Sequence, residues 1–289
     1  MGWSGSLTSS SAVGSEITFT PDSGDVATYT TTSFKAPKKG VYRFTLNGSG
    51  GRVNTSGHNP GAGGAGGKTV GYLLLEENQT VYIGAGTTCC AAFVSKIKAS
   101  TLAGTSSKSN LYFVAGGGGE GGDEWGASWY QAGFDGGAGG GTSGAAGSDG
   151  GANTGKTAKG GTQSSGYAYG TGETGGYKNS NDISYWRGRG GDGLYGGYAG
   201  TRASFGSDAA GGGGGSGYIY TSSITVNGQS YSNSTTQGGG AASNKKGSVK
   251  VRYHAVAELP ITFNGTKITE LIFNGTKVTS VIYNGTKLF

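Results

Sequence analysis

The run Gly150-Gly151-Ala152-Asn153-Thr154-Gly155-Lys156-Thr157 spells GxxxxGK[ST], the pattern with which backbone amides and a lysine cradle nucleotide phosphates. That chemistry needs a buried strand before the loop and a helix after it, so that the helix N-terminus meets the phosphates. Here TSGAAGSD precedes and AKGGTQSSG follows, so neither element is legible and nucleotide binding is set aside. Arg187-Gly188-Arg189-Gly190-Gly191 is one RGG copy beside Trp186, whereas nucleic-acid binders use repeated disordered tracts. A structural or glycan-facing role is expected instead. His58 and His254 lie in unrelated contexts, one in a glycine loop and one at the end of GSVKVRYH, and no nucleophile-base pair can be built on either. The acids Asp123, Glu124, Asp135, Asp149, Glu173, Asp182 and Asp192 are scattered, so a glycosidase pair would rest on chance proximity in space. Asn181-Asp182 and Asp192 could face a calcium ion but lack the alternating ligands of a calcium loop. Cys89 and Cys90 are neighbours, without the spacing of a metal knuckle or a redox pair, and are read as small buried residues. No catalytic residue, metal ligand or cofactor is assigned, and the chain is read as non-enzymatic.

The aromatic residues are more informative. Trp125, Trp129, Tyr130, Phe134, Tyr167, Tyr169, Tyr177, Tyr185, Trp186, Tyr195 and Tyr198 sit inside the glycine-rich middle of the chain. They can cap a glycine-rich module and pack against its support, which is the plain reading. Tyrosine and tryptophan also give large, rigid contact area with a polar handle, so all of these except Phe134 are candidate receptor-binding residues.

What would position them is set by composition. Glycine supplies 65 of 289 residues, roughly three times the usual level of about 7%. With 4 prolines but 17 tyrosines, 10 phenylalanines and 4 tryptophans, the chain lacks the profile of a disordered tract. Net charge is +6, thinly spread, which is a bias toward anionic surfaces and not a nucleic-acid footprint. The opening MGWSGSLTSSSAVGS has no basic and apolar leader, and no apolar run approaches the roughly 18 residues of a membrane span, so assembly in a cytoplasm is expected.

Between Ser15 and Ala115 the segments EITFT, ATYTTTSF, GVYRFTL, TVGYLLL, QTVYIGAG, AAFVSKIKA and NLYFVAGG read as strands. In GVYRFTL, Tyr42, Phe44 and Leu46 alternate with Val41, Arg43 and Thr45, which predicts one core face and one solvent face. Glycines 141, 144, 147 and 150 recur every third residue, as do 61, 64 and 67, and 190, 193 and 196, with 188, 191, 197 and 200 in a second register. Three residues per turn is the polyproline II repeat, which forms no internal hydrogen bonds. Without the proline of collagen, the pattern predicts extended glycine helices packed side by side and hydrogen-bonded to one another. Strand character returns in GYIYTSSITVNGQSYSN and GSVKVRYHAV. From Glu258 the chain repeats every ten residues, with Asn264-Gly265, Asn274-Gly275 and Asn284-Gly285 each set for a two-residue hairpin turn. So small a meander cannot bury its own apolar residues, and Phe263, Ile272, Phe273, Ile282, Tyr283 and Phe289 are expected to serve oligomerisation or docking.

The order SFKAPKKGVYRFTLNGSGG, GAGGAGGKTVGYLLLEENQTVYIGAG, LYFVAGGGGEGG, a glycine-rich insert, GGGGGSGYI and GSVKVRY resembles the glycine-rich domain of bacterial and phage surface proteins. The same domain type occurs in the extracellular part of the anaplastic lymphoma kinase receptor group. The resemblance spans residues 15–256 and implies a jelly-roll-like sandwich carrying a polyglycine II bundle. Tail-fibre adhesins of phages with a related bundle touch the host receptor through tip loops. The FNGTK decapeptides resemble those that end tail and virion proteins of phages infecting Gram-positive gut bacteria. From the phage fibres the resemblance also carries the expectation of a trimer.

The expected fold is therefore all-β: a jelly-roll-like β-sandwich with an inserted polyglycine II helix bundle, and a small C-terminal β-repeat meander. The expected divisions are an arm at 1–14, a glycine-rich domain at 15–257 with the bundle within 116–217, and a tail at 258–289. The expected function is that of a phage or prophage virion protein, a tail-fibre or tip adhesin or a particle fibre or decoration protein. It would be assembled in the host cytoplasm and contact other virion proteins and a host-surface glycan or protein, with no nucleic acid and no membrane span. A bacterial surface structural protein of the same fold is the alternative, and a glycan depolymerase a distant third.

Overall fold

The computed structural model describes residues 2–22, 24, 27–53, 61–122, 134–148, 158–180, 183–201, 210–257 and six short strands of the tail; side chains are not described for 177–186 or the tail. In chain order the strands are β1 (Gly2–Ser4), β2 (Glu16–Thr20), β3 (Tyr29–Lys35), β4 (Gly40–Asn47), β5 (Gly67–Leu75), β6 (Thr80–Gly86), β7 (Ala92–Ser95) and β8 (Leu111–Ala115). They continue with β9 (Gly176–Ser180), β10 (Ile183–Arg187), β11 (Tyr218–Ile219), β12 (Ser223–Val226), β13 (Gln229–Ser232), β14 (Ser234–Gly239) and β15 (Ser248–Val256). A six-stranded antiparallel sheet, ordered β1-β2-β15-β4-β5-β14, faces a five-stranded one, ordered β11-β8-β7-β6-β3. The fold is all-β and sandwich-like, as the alternation predicts.

The inner faces meet in one apolar layer. Phe19, Tyr42, Phe44, Leu73, Val251 and Tyr253 come from the larger sheet, and Phe34, Ile83, Val94 and Phe113 from the smaller. Phe34 stands edge-on to Tyr42 and Phe44, with centroids 5.4 and 6.2 Å apart, a geometry that adds quadrupole attraction to burial. The alternation in β4 holds for Tyr42, Phe44 and Leu46, but Val41, expected on the solvent face, is also fully buried. The β12–β13 hairpin lies over it and closes a second small core with Val226 and Ala257. Its turn is Asn227-Gly228, both at positive φ, the signal read in the tail but not used here. AAFVSKIKA is strand only over Ala92–Ser95. The first residues also join the sheet: β1 pairs with β2, and Trp3 packs on Phe19 and Phe34.

Four strands run directly into glycine-rich segments at one end of the sandwich: β4 into 48–51, β5 out of 61–67, β8 into 116–122 and β11 out of 211–217. These segments bond to one another through their backbones. Along 211–216 the donors turn through three neighbours with a period of three. Gly211 and Gly214 donate to Ser148 and Ala145, Gly212 and Gly215 to Glu120 and Gly117, and Gly213 and Ser216 to Tyr198 and Tyr195, at 2.8–3.1 Å. Its carbonyls accept from three further segments, through Gly137 and Gly140, Gly191 and Leu194, and Gly161. Segment 116–122 repeats the rule: Gly117 and Glu120 donate to Asp192 and Arg189, Gly118 and Gly121 to Ser49 and Arg52, Gly119 and Gly122 to Gly137 and Phe134. Three successive amides thus find partners on three different neighbours, which a flat strand cannot arrange.

A methyl group has no room at these contacts. A Cβ built on Gly144, Gly147, Gly212 or Gly214 would come well inside 3.0 Å of a carbonyl oxygen of the adjoining segment. Side chains appear where a segment faces outward: Ala62 and Ala146 are exposed, and Ala65, Ala138 and Ala145 half-exposed. Of the glycines read at a three-residue period, 61, 64, 144, 147, 190, 193 and 196 lie at such contacts, but so do Gly63, Gly66 and the unbroken run 211–215, while Gly141 sits at positive φ without a close one and Gly150 lies outside the described residues. In the tail, three antiparallel two-residue pairs join Phe263 to Thr266, Phe273 to Thr276 and Tyr283 to Thr286, while the three Asn-Gly pairs lie outside the described residues. Among the described residues no helix is long and apolar enough to cross a membrane.

Candidate functional site: a tyrosine surface on the glycine array

Two stretches of the array, 166–169 and 195–198, run side by side and carry four tyrosines. Tyr169 and Tyr195 form an isolated antiparallel bridge, and their rings meet edge-on with centroids 6.2 Å apart. Both pack on a core between the smaller sheet and the array, made by Phe93, Leu102, Leu111, Val114 and Leu194. The Tyr169 hydroxyl shares a hydrogen bond with Thr105 Oγ1 at 2.8 Å, and burial pushes its phenol up. Beside them opens a groove of about 370 Å³, lined also by Ser106, Ser107, Lys108, Gln163 and Ser164. Gln163 donates to the Gly217 carbonyl, which ties that rim to the start of β11.

Tyr167 and Tyr198 stand outward, 48% and 39% exposed, with rings edge-on at 6.2 Å. The Tyr198 hydroxyl donates to Gly166 O at 3.0 Å, its amide to Lys159 O, and its carbonyl accepts from Gly213 at 2.9 Å. The ring is thereby tied to Gly166, and the backbone that carries it to the buried segment 211–217. Flat aromatic faces beside serine hydroxyls, an amide and an ammonium suit a polyhydroxylated ligand: C–H groups stack on rings while hydroxyls bond to the rim.

Of the other aromatic residues in the glycine-rich middle, Phe134 is fully buried and serves packing. Trp186 lies opposite Tyr177, and Tyr185 opposite Lys178, in the register of the β9–β10 hairpin. Trp125, Trp129 and Tyr130 lie outside the described residues, as do His58, Asp123, Glu124, Asp149, Asn181, Asp182 and residues 150–157 of the GxxxxGKT run. An aromatic feature that sequence reading passed over lies on the smaller sheet. Tyr112 and Tyr220 meet edge-on at 5.9 Å, with Lys96 Nζ 5.3 and 5.2 Å from their centroids. The three residues are far apart in sequence, and only strand pairing brings them together.

The described acids are engaged elsewhere. Asp192, 2% exposed, accepts from Arg189 Nη2 at 2.8 Å, from the Gly172 amide at 2.8 Å and from the Tyr29 hydroxyl at 3.0 Å. Glu120 takes Arg52 at 2.9 Å and the Arg189 amide at 3.1 Å; Glu173 takes Arg187 at 3.1 Å and the Ala199 amide at 2.9 Å. Asp135 accepts from the Ala62 amide at 2.7 Å. Both arginines of the RGRGG run are thus ties inside the array. Asp192 faces an arginine and a phenol, with no cluster of metal-ligating side chains among the described residues.

Cys89 and Cys90 are buried beside this network, with the Cys90 amide and carbonyl both bonded to Ser49 Oγ. Burial pushes the Cys89 thiol up to about 12 and the Cys90 thiol well above its ordinary value. Both should stay unmodified by a thiol reagent at pH 8 in the native protein and react fully in urea; rapid labelling without denaturant would contradict this burial.

In comparisons with known proteins, no family model and no curated protein matches this chain.

Proposed function

We propose that this chain is a non-enzymatic virion protein of a phage or prophage, a tail-fibre or tip adhesin or a particle fibre or decoration protein, that presents its tyrosine surface to a host-surface glycan or protein. The observation that carries this reading is the Tyr167–Tyr198 pair: exposed rings in edge-on contact, on backbones that bond within the glycine array through Gly196 and Gly213, with the Tyr198 hydroxyl tied to Gly166 O. A recognition surface gains affinity when it is ordered before binding, because less conformational freedom is lost on contact. In the same reading the three-residue hydrogen-bond screw is polyglycine II packing, and the array acts as the rigid mount. The tail, with its three hairpins, is the oligomerisation or docking element, in a trimer and against other virion proteins.

The test is direct. Full-length protein is incubated with host cell-wall polysaccharide, and bound material and released sugar are both measured. Binding without product is expected, weakened roughly tenfold by Tyr167→Ala or Tyr198→Ala, the scale of a binding hot spot. Deletion of 258–289 should lower the oligomeric state while leaving a folded body. Product release would replace the adhesin with a depolymerase; no binding at all would leave the reading of a surface structural protein.

A further inference from the structure

The outer face of the six-stranded sheet carries a second feature, remote in chemistry from the tyrosines. Arg43 on β4 and Arg252 on β15 are direct cross-strand partners, so both project from the same face, with backbones about 5 Å apart. Two like charges so placed repel one another. The Nε atoms of both are buried and make no hydrogen bond, and no acidic side chain pairs with either guanidinium among the described residues. The adjacent Glu16, across from Arg252 on β2, hydrogen-bonds to Lys250 at 2.8 Å, and Arg252 and Arg43 act on its carboxylate at longer range, helping Lys250 to hold it below the usual carboxylate range. His254, on the same face, is wedged between Tyr72 and Tyr231, and burial together with these two guanidiniums holds it below the ordinary imidazole range.

A buried donor left without a partner is destabilising, and here two such donors belong to a repelling pair. An anion between the two guanidiniums would offset their repulsion, since guanidinium presents its N–H groups in the planar geometry that oxyanions accept. We propose that Arg43 and Arg252 form a binding site for a tetrahedral oxyanion of the phosphate class, either the free ion or a phosphodiester of a polymer. Phosphate is favoured over carboxylate because it has oxygens enough to engage two separate forks and up to two charges to balance two guanidiniums.

Full-length protein is melted at pH 7.5 in chloride, acetate or inorganic phosphate at matched ionic strength, and phosphate is titrated by calorimetry. Phosphate should raise the melting temperature saturably, by about 2–6 °C, with acetate having little effect. Arg43→Gln and Arg252→Gln should each abolish that rise, and each should melt higher than wild type in chloride, because the repulsion is gone. A poly(glycerol phosphate) chain distinguishes the sources: competition with phosphate supports a polymer site, and binding of phosphate alone supports a free-ion site. No heat with phosphate, an equal response to acetate, or a phosphate rise retained in both variants would overturn the proposal. If one variant fails to fold, the calorimetric titration of wild type decides it.

Discussion

Gly214→Ala should destabilise the protein by about 3 kcal/mol, at the upper end of overpacking penalties, and lower its melting temperature by roughly 6–12 °C. Ordinarily a glycine-to-alanine change stabilises by about 0.4–1 kcal/mol, because the unfolded chain loses freedom. The sign reverses here because the added methyl meets the Ala138 carbonyl and the Gly139 amide on the adjoining segment, backbone atoms that cannot swing aside as a side chain can. Separating the two segments also stretches the bonds from Gly137 to Gly212 O and from Gly140 to Gly215 O, each 2.8 Å. Gly144→Val should act in the same direction, since its own Cβ would strike the Gly214 carbonyl. Thr142→Val and Ala146→Ser, on exposed positions between such contacts, should melt within about 1 °C of wild type. Equal melting of Gly144→Val and Thr142→Val would remove the contact register from the account.

Asp192→Ala should be of similar or greater effect, about 3–5 kcal/mol by urea unfolding, the range for breaking one side of a buried ion pair. Three donors lose their acceptor together: Arg189, the Gly172 amide and the Tyr29 hydroxyl. The Arg189 charge would be left largely buried and uncompensated. The network also joins two bodies, because Tyr29 belongs to β3 of the sandwich and Arg189, Asp192 and Gly172 to the array. Arg189→Met combined with Asp192→Ala should therefore recover part of the loss, and the double-mutant cycle should show a coupling of roughly 1–3 kcal/mol. Additive losses would mean that the two side chains act independently.

The strands were legible because a half-buried strand must alternate, and Tyr42, Phe44 and Leu46 do so in a window of a few residues. Val41 was misjudged for a reason outside that window: the hairpin that covers it comes from Ser223–Ser232, far along the chain. The cysteines were read as buried, and they are. Asp192 and Arg189 looked like a loop acid and a fragment of a nucleic-acid motif, and nothing near them in sequence names Tyr29 or Glu120 as partners. The four tyrosine candidates whose side chains are described divided into a half-buried pair and an exposed pair, although their local surroundings in sequence are alike.

Sequence by itself determined the all-β class and some of the positions at which one backbone touches another, such as Gly144 and Gly147, but not Gly63, Gly66 or the unbroken run 211–215. Both follow from rules a short stretch obeys alone: strand alternation has a period of two, and a three-residue glycine repeat leaves one side of an extended chain without side chains. Tertiary structure alone decided which segments meet. Any glycine segment can satisfy its amides against any other, in either direction, so pairing is not written in the segments themselves. It is decided by the strands that deliver them: β4, β5, β8 and β11 bring four segments to one end of the sandwich, where 116–122 and 211–217 become the most enclosed. Burial of the acids, the split among the tyrosines and the facing of Arg43 and Arg252 follow from that assembly, because each depends on residues that only the folded sheets bring together.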